Sequence, residues 1–222
     1  MAGQAAGDAR SGVDAALFGG PRGQGSDSPD DATTERILDA ALAQFTEFGM
    51  RRTSVDDVAR RAGLTRVTVY RRFRTRDLLI GATIHREYMR FLAILDPAIK
   101  GLPTMEERIT EGFLVTLRHV QEHPLLGGLL RTEPELVLPA LTIHGGPGLT
   151  AMREYLTRSF EHYQRDSGPL DPGPDPDPAP AAELMVRIVV SFLLNPTSCI
   201  ELSDDEAVRS FARRFLAPLL RR

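Results

Sequence analysis

The segment TSVDDVARRAGLTRVTVYRRFRTRDLLIGA, residues 53–82, determines the fold expected for the N-terminal part of the chain. Ser54 is suited to cap a short helix, and Asp57 follows three residues later as in a capping box. Gly63 is placed to end this helix, because glycine readily adopts the backbone conformation of a helix C-terminus. Thr65 then caps a second short helix. The segment therefore predicts two short helices joined by a tight turn.

The second short helix has an apolar and a polar face. Val69 and Phe73 are spaced to enter a three-helix core. The remaining side chains are expected to be more exposed: Arg66, Val67, Thr68, Tyr70, Arg71 and Arg72. This arrangement is typical of a helix-turn-helix, in which the first helix crosses the DNA backbone and the second enters the major groove. Because helix N-termini offer free N–H groups, we expect Ser54 and Thr65 to lie near phosphates as well.

The spacing of apolar residues predicts an all-α fold for the whole chain. A helix over about 33–48 precedes the pair, and its apolar face comprises Ile37, Ala41, Phe45 and Phe48. Helical spacing continues after residue 76, whereas patterns typical of strands or hairpins are absent from the sequence. The predicted helices cover about 76–95, 105–123, 125–131, 135–141, 149–165, 181–194 and 204–220, and Ser203 with Glu206 offers the last one a capping box.

Composition divides the chain into two domains. Residues 1–30, rich in Gly, Ala, Ser and Asp, predict a flexible tail. Residues 31–77 form the predicted three-helix DNA-binding domain, and residues 78–222 a helical body. Within that body, alternating prolines predict an exposed loop over 167–181.

The distribution of charge supports a nucleic-acid partner although the net charge is only −3. Residues 51–76 contain nine arginines against two aspartates. Phosphate binding depends on such a local patch, because charges are screened over about 10 Å at ordinary salt. The basic segment coincides with the predicted helix-turn-helix, which indicates binding to double-stranded DNA.

At this point the segment resembles the helix-turn-helix of the TetR/AcrR family. That pattern is roughly T-x-x-x-I-A-x-x-A-G-V-S-x-x-T-h-Y-x-x-F-x-x-K-x-x-L, with h apolar, and it aligns here without a gap. The matching residues are Thr53, Val58, Ala59, Ala62, Gly63, Leu64, Thr65, Thr68, Val69, Tyr70, Phe73, Arg76 and Leu79. The resemblance covers about residues 33–82, and it implies a sequence-specific transcription regulator, usually a repressor.

The resemblance also implies roles for individual side chains. Tyr70 would donate its hydroxyl to a phosphate, and Arg76, which replaces the usual lysine, would contact the DNA backbone. Arg52 and Arg72 are further expected phosphate contacts. The positions at which the family contacts bases are occupied by Arg66, Val67, Thr68 and Arg71. An arginine there can hold guanine through O6 and N7.

The family's last two helices form a four-helix bundle with those of a second subunit. Both are strongly apolar here, and we expect a homodimer whose interface includes Val186, Val190, Phe211 and Phe215. Two DNA-binding domains about one DNA turn apart suit a near-palindromic operator. The alternative is that these residues form the interior of a monomeric bundle.

The family's body usually encloses a small-molecule site, and its occupancy releases the DNA. Residues on the middle helices that are aromatic, apolar or polar-tipped could line it, namely Tyr88, Phe91, Phe113, Leu117, His144, Met152, Tyr155 and Phe192. Ordinary core packing is the alternative for each of them. The sequence does not identify the effector.

Other classes of function lack support in the sequence. Motifs for a nucleophile elbow, phosphate loop, dinucleotide site or metal-binding helix are missing, so neither an enzyme nor a cofactor is predicted. A metal is not predicted either, because Cys199 is the only cysteine and His119, His123 and His144 are expected to be solvated. The sequence contains no secretory signal or membrane span, which predicts a cytoplasmic protein. The remaining alternative is a helical module that binds DNA without sequence preference, or binds a protein, and has no ligand.

Overall fold

The computed structural model describes residues 29–142, 146–167 and 177–220, and their secondary structure is helical, as predicted. The α-helices, numbered in chain order, are α1 Pro29–Phe48, α2 Val55–Arg61, α3 Arg66–Arg72, α4 Arg76–Ile99, α5 Met105–Glu122, α6 Pro124–Thr132, α7 Pro134–Leu141, α8 Gly146–Ser167, α9 Ala179–Leu194 and α10 Asp205–Phe211. A π-helical turn, Ala212–Leu216, and a 3-10 turn, Ala217–Leu220, follow α10.

The predicted N-terminal tail and the predicted proline-rich loop are both partly helical in the residues that the structure describes. Pro29 and Asp30, expected in the tail, begin α1, because proline suits the first helical position and acidic residues suit a helix N-terminus. The rest of the predicted tail lies outside the described residues, as does the loop over 168–176. Helix α9 begins at Ala179, within the predicted loop, and Pro180 is tolerated because it lies in the first turn.

The described residues form two compact units, of which the first comprises residues 29–89 with 123–142 and 146–147. This unit is larger than the three-helix domain expected over 31–77, since it also includes the first part of α4 together with α6 and α7. Leu125 and Leu129 of α6 are buried in the same core as α1. This first core contains Ile37, Ala41, Phe45, Met50, Val55, Val58, Ala59, Val69, Phe73, Leu79, Leu125 and Leu129.

The apolar face predicted for α1 is confirmed except at its end. Ile37, Ala41 and Phe45 are buried, whereas Phe48 is 50% exposed. Phe48 lies in the last turn of α1, and the chain reverses directly after it at Gly49. Met50, beyond that turn, is the residue that enters the first core instead.

The second unit comprises residues 90–122, 148–167 and 177–220, and α5 lies at its centre. Four apolar residues of α5, each four apart along one helical face, are buried in it. This second core contains Met105, Ile109, Phe113, Leu117, Phe160, Tyr163, Ala182, Met185, Val208, Ala212 and Leu216.

The last helix differs from its prediction at both ends. Asp204, and not Ser203, caps it, because the Asp204 carboxylate accepts a hydrogen bond from the Ala207 N–H at 2.8 Å. Regular α-helix ends at Phe211 and continues as the π-helical turn. The wider turn accompanies burial of both Leu216 and Ala217 in the second core.

Helix α4 continues past Pro97, although the sequence predicted its end at about Leu95. Leu95 and Ile99, one turn apart, are both buried with Phe91 in a third core, and this packing favours the last turn of the helix. Proline cannot bond to the carbonyl four residues earlier, here that of Ala93. Both Ala93 and Pro97 are exposed, so water can satisfy that carbonyl.

Gly49→Ala is expected to destabilise the first unit more than Gly63→Ala. Both glycines have positive φ, +85° and +63°, where an L-residue costs roughly 1–2 kcal/mol. A Cβ on Gly49 would also lie 2.7 Å from the buried Glu133 carboxylate, whereas one on Gly63 would lie 3.5 Å from the Arg36 guanidinium. Urea unfolding of the two variants measures the difference, and equal losses of free energy would contradict the steric argument.

Candidate nucleic-acid interface

Helix α2 begins with the capping box that the sequence predicted. The Ser54 hydroxyl accepts from the Asp57 N–H at 3.2 Å, and the Asp57 carboxylate accepts from the Ser54 N–H at 3.0 Å. The Ser54 hydroxyl also donates to this carboxylate at 2.6 Å. These hydrogen bonds from the Ser54 side chain and backbone lower the pKa of Asp57. The start of α2 is therefore fixed by local contacts.

Helix α3 follows the turn at Gly63 and has the two predicted faces. The Thr65 hydroxyl accepts from the Thr68 N–H at 3.2 Å, which confirms Thr65 as the N-cap. Val69 and Phe73 are buried in the first core, as predicted. On the other face Val67 is 76% exposed. Arg66 and Arg71 are also exposed, whereas Thr68, Tyr70 and Arg72 are half-buried.

Arg66 has partners within its own unit. Its guanidinium pairs with the Asp56 carboxylate at 2.9 Å and lies over the Tyr70 ring, 5.0 Å from the centroid. It also donates to the Tyr70 hydroxyl at 3.3 Å, and this bond, followed by the charge of Asp56, raises the pKa of Arg66. Exposed ion pairs contribute little to stability, so Arg66 can exchange Asp56 for another acceptor at small cost.

Two other arginines expected at phosphates make intramolecular contacts. Arg72 pairs with Asp30 in the first turn of α1. Arg76 donates from Nε to the Thr53 carbonyl at 3.0 Å and from Nη2 to the Met50 carbonyl. Its donors support the turn between α1 and α2. Arg52, in the same turn, is exposed.

Glu133, between α6 and α7, was not identified from the sequence. Its side chain is buried and accepts from the Met50 N–H at 2.7 Å and the Arg51 N–H at 2.9 Å. The neighbouring Glu135 pairs with Arg51 at 2.8 Å on the surface, and this contact contributes to lowering the Glu135 pKa, after the hydrogen bond to its own backbone. Nothing local to residue 133 signals contacts with residues more than eighty positions earlier.

The predicted dimer-interface residues differ in accessibility. Phe215 is 53% exposed, and Val190 and Phe211 are half-buried. Val186 is buried within its own subunit. Two further apolar residues, Leu184 of α9 and Leu219 of the 3-10 turn, are exposed.

Phe211 is central to an aromatic group in the second unit. Its ring packs against Phe113 at 5.6 Å and Phe192 at 5.7 Å between centroids. On its other side lies Phe215 at 5.3 Å. Phe211 therefore lies between Phe113 of the second core and the exposed Phe215.

The predicted ligand-lining residues of the second unit are divided between two cores. Phe91, Met152 and Tyr155 belong to the third core, while the second core contains or contacts Phe113, Leu117 and Phe192. Tyr88 belongs to the first unit, and His144 lies outside the described residues. A cavity of about 470 Å³ in the second unit is instead lined mainly by charged side chains, Arg153, Glu154, Arg158, Glu161, Asp177 and Glu183.

The histidines are less exposed than the sequence suggested. His123 is 10% exposed, and its Nε2 lies 3.5 Å from the Glu87 carboxylate. The ring of His119 packs against Phe91, with 4.8 Å between centroids. His123 is therefore largely covered, contrary to the expected solvation, whereas His119 is half-buried.

The geometry of α2 and α3, two short capped helices with a glycine turn and an exposed basic face, defines a helix-turn-helix DNA-binding protein. A family model described as bacterial regulatory proteins, tetR family, matches residues 37–83. A second, described as bacterial tetracyclin repressor, C-terminal domain, matches residues 105–214. Together they cover more than half of the chain, which belongs to the TetR family of transcription regulators and is not an enzyme.

Individual relatives agree with this assignment. An uncharacterised HTH-type transcriptional regulator of Mycobacterium tuberculosis is 26% identical over 186 residues, 84% of this chain and 84% of the relative. The HTH-type regulator AqdR of Rhodococcus erythropolis is 47% identical over 53 residues, 23% of this chain and 26% of AqdR. The crystal structure of the TetR family repressor AlkX from Dietzia has a TM-score of 0.60 at 24% identity, covering 89% of this chain and 97% of AlkX. Among the described helices, none has the length and apolar character needed to cross a membrane.

Asp57→Asn should lower stability near neutral pH and have little effect in acid. Because the fold lowers the Asp57 pKa, its contribution is complete above the ordinary value of about 3.9 and is lost as pH falls through the folded pKa. Urea unfolding at neutral pH and at the lowest pH that preserves the fold measures this change. Asp56→Asn, in the same helical turn but outside the capping box, is the control. A deficit that persists unchanged in acid would contradict the assignment.

Proposed function

We propose that the protein is a ligand-responsive repressor that binds a near-palindromic operator as a homodimer and releases it when a small molecule binds. The exposed face of α3 is the observation that carries this proposal. Arg66, Val67 and Arg71 project from a helix whose opposite face is buried, so these side chains are available to base edges in a major groove.

The contacts to DNA divide into two groups. Arg66, Val67, Thr68 and Arg71 would contact bases, as expected at these positions of α3. Phosphate contacts would come from residues at the helix N-termini and around α3, namely Arg52, Ser54, Thr65, Tyr70 and Arg72. Arg72 would exchange its Asp30 partner for a phosphate oxygen, and Tyr70 would turn its hydroxyl from Arg66 to DNA. Phosphate contacts fix the register of the protein, while base contacts supply the sequence preference.

Dimerisation is supported by the exposed apolar side chains near the C-terminus. Leu184 of α9 and Phe215 and Leu219 after α10 are large, apolar and between 37% and 53% exposed. Burying them against a second subunit would remove this area from water, at roughly 25 cal/mol per Å². Val190 and Phe211 would lie at the margin of the interface.

Release by a ligand would be a shift between two populations. An effector that moves the protein from 1:99 to 99:1 in favour of a DNA-incompetent state must prefer that state by about 5.5 kcal/mol. Of the predicted lining residues, Phe91, Met152 and Tyr155 lie together in the third core, which we therefore take as the ligand site. The Tyr155 hydroxyl and its partner Asp96 offer a polar end to an otherwise apolar site.

The first experiment is selection of random duplex DNA on the purified protein, followed by sequencing of the bound pool. Enrichment of a near-palindrome is expected, because a specific regulator typically prefers its operator by 10³ to 10⁷ over random DNA. An unenriched pool with steep salt dependence would favour the non-specific module instead. A reporter gene with the enriched site overlapping its promoter then tests repression and supplies a screen for the effector.

Arg66→Ala should relax sequence preference, whereas Arg52→Ala should weaken binding to every sequence. Losing one arginine–guanine contact is expected to reduce discrimination at one operator position by roughly tenfold to a hundredfold. Losing one phosphate contact should reduce the salt slope by about one. Titrations against the selected operator and single-base variants, at two salt concentrations, separate these effects. An Arg66→Ala protein with the same ranking of sequences would remove the base-contact role.

Phe215→Glu should produce monomers with weak operator affinity. A charge on an exposed apolar face opposes its burial in a dimer, while the 53% exposure of Phe215 allows the subunit to fold. Sedimentation equilibrium should give the 24.4 kDa of one chain, and twice that mass for the Ser210→Glu control, which places the same charge at an exposed polar position. If Phe215→Glu keeps the dimer mass, this surface is not the interface.

A further inference from the structure

The turn between α1 and α2 has a shape that depends on side chains from elsewhere. Its backbone runs from Gly49 to Thr53 and leads directly to the N-cap Ser54. The carbonyls of Met50 and Thr53 accept from Arg76, and the Gly49 carbonyl accepts from the Thr53 hydroxyl at 2.8 Å. The N–H groups on the other side of the turn, those of Met50 and Arg51, donate to Glu133.

Glu133 has an unusual position among these partners. Thr53 lies directly before the helix-turn-helix and Arg76 shortly after it, whereas Glu133 lies more than eighty residues after the Met50 and Arg51 amides that it binds. Its backbone is the C-cap of α6 and the N-cap of α7, and its N–H donates to the Leu129 carbonyl at 2.8 Å. A shift of the α6–α7 junction would therefore tend to pull the carboxylate away from the Met50 and Arg51 amides.

The contact between Glu133 and the turn is tight and specific for a carboxylate. A Cβ on Gly49 would be 2.7 Å from Oε1, so the glycine allows the side chain to approach the backbone closely. The two carboxylate oxygens accept from two different N–H groups. An amide side chain of the same size has only one acceptor oxygen, and its NH₂ group would face the second N–H.

We propose that Glu133 is a positioning residue for operator binding, which rests on the function proposed above. By holding the Met50 and Arg51 amides, it fixes the turn that presents Arg52 and Ser54 to phosphates. It thereby sets the register in which α3 meets the bases. Operator affinity consequently depends on the geometry of the α6–α7 junction, outside the helix-turn-helix itself.

The test compares Glu133→Gln with Glu135→Gln in the full-length protein. Both variants remove one negative charge beside the same turn, but Glu135 contacts it only through an exposed pair with Arg51. General attraction to DNA therefore changes equally in both variants. Affinities are measured for the selected operator and for random duplex at one salt concentration, together with thermal unfolding and amide exchange at residues 50 and 51.

Glu133→Gln is expected to weaken operator binding at least tenfold and random-duplex binding by a smaller factor, because displaced phosphate contacts affect both DNAs whereas the lost register affects only the base contacts of the operator. Exchange of the amides at 50 and 51 should accelerate only in this variant. Glu135→Gln should keep both the operator affinity and the slow exchange. Should Glu133→Gln fail to fold, Glu133→Asp, which keeps the charge on a shorter side chain, is expected to show the same selective loss.

Two results would overturn the positioning role. One is a folded Glu133 variant with operator affinity within twofold of the original protein, even if it unfolds at a lower temperature. The other is equal loss of operator and random-duplex affinity, which indicates general damage to the first unit. Failure of the original protein to enrich any sequence is a different outcome, since it rejects the proposed regulator itself.

Discussion

Helix α3 has only seven residues, and a helix of that length is unstable in water by itself. Its position depends on burial of Val69 and Phe73 and on the cap at Thr65. Every side chain on its exposed face is placed by those three contacts. The first core, the turn at Gly63 and the packing of α1 and α4 are arranged around this requirement, because a tilted α3 would misplace all of its contacts together.

Sequence features that act over a few residues were predicted correctly. The capping box at Ser54 and Asp57, the cap at Thr65 and the buried face of α3 follow from spacings of three and four residues. Contacts between distant segments could not be predicted in this way. The sequence around Arg76 suggested a phosphate contact, and only tertiary structure brings it to the carbonyls of Met50 and Thr53.

Helix ends and the inward faces of apolar helices could not be predicted from local sequence either. Pro97 indicates a helix end when considered locally, but burial of Ile99 extends α4 by another turn. In α9, apolar residues cover more than one face, and the sequence does not distinguish the inward Val186 from the outward Leu184. The accessible surface of the folded subunit makes that distinction.

The pairing of Arg66 with Asp56 and Tyr70 has a consequence for discrimination between DNA sequences. A guanidinium that already has an acceptor in the free protein gains from DNA only the difference in binding free energy between that acceptor and the base. A base without a suitable acceptor offers no such gain. Asp56, once released, would leave an uncompensated negative charge near the phosphates. Under the base-contact role proposed for Arg66, a site without an acceptor would leave the pair with Asp56 intact, so Arg66 would add affinity only where a base offers a better partner than Asp56.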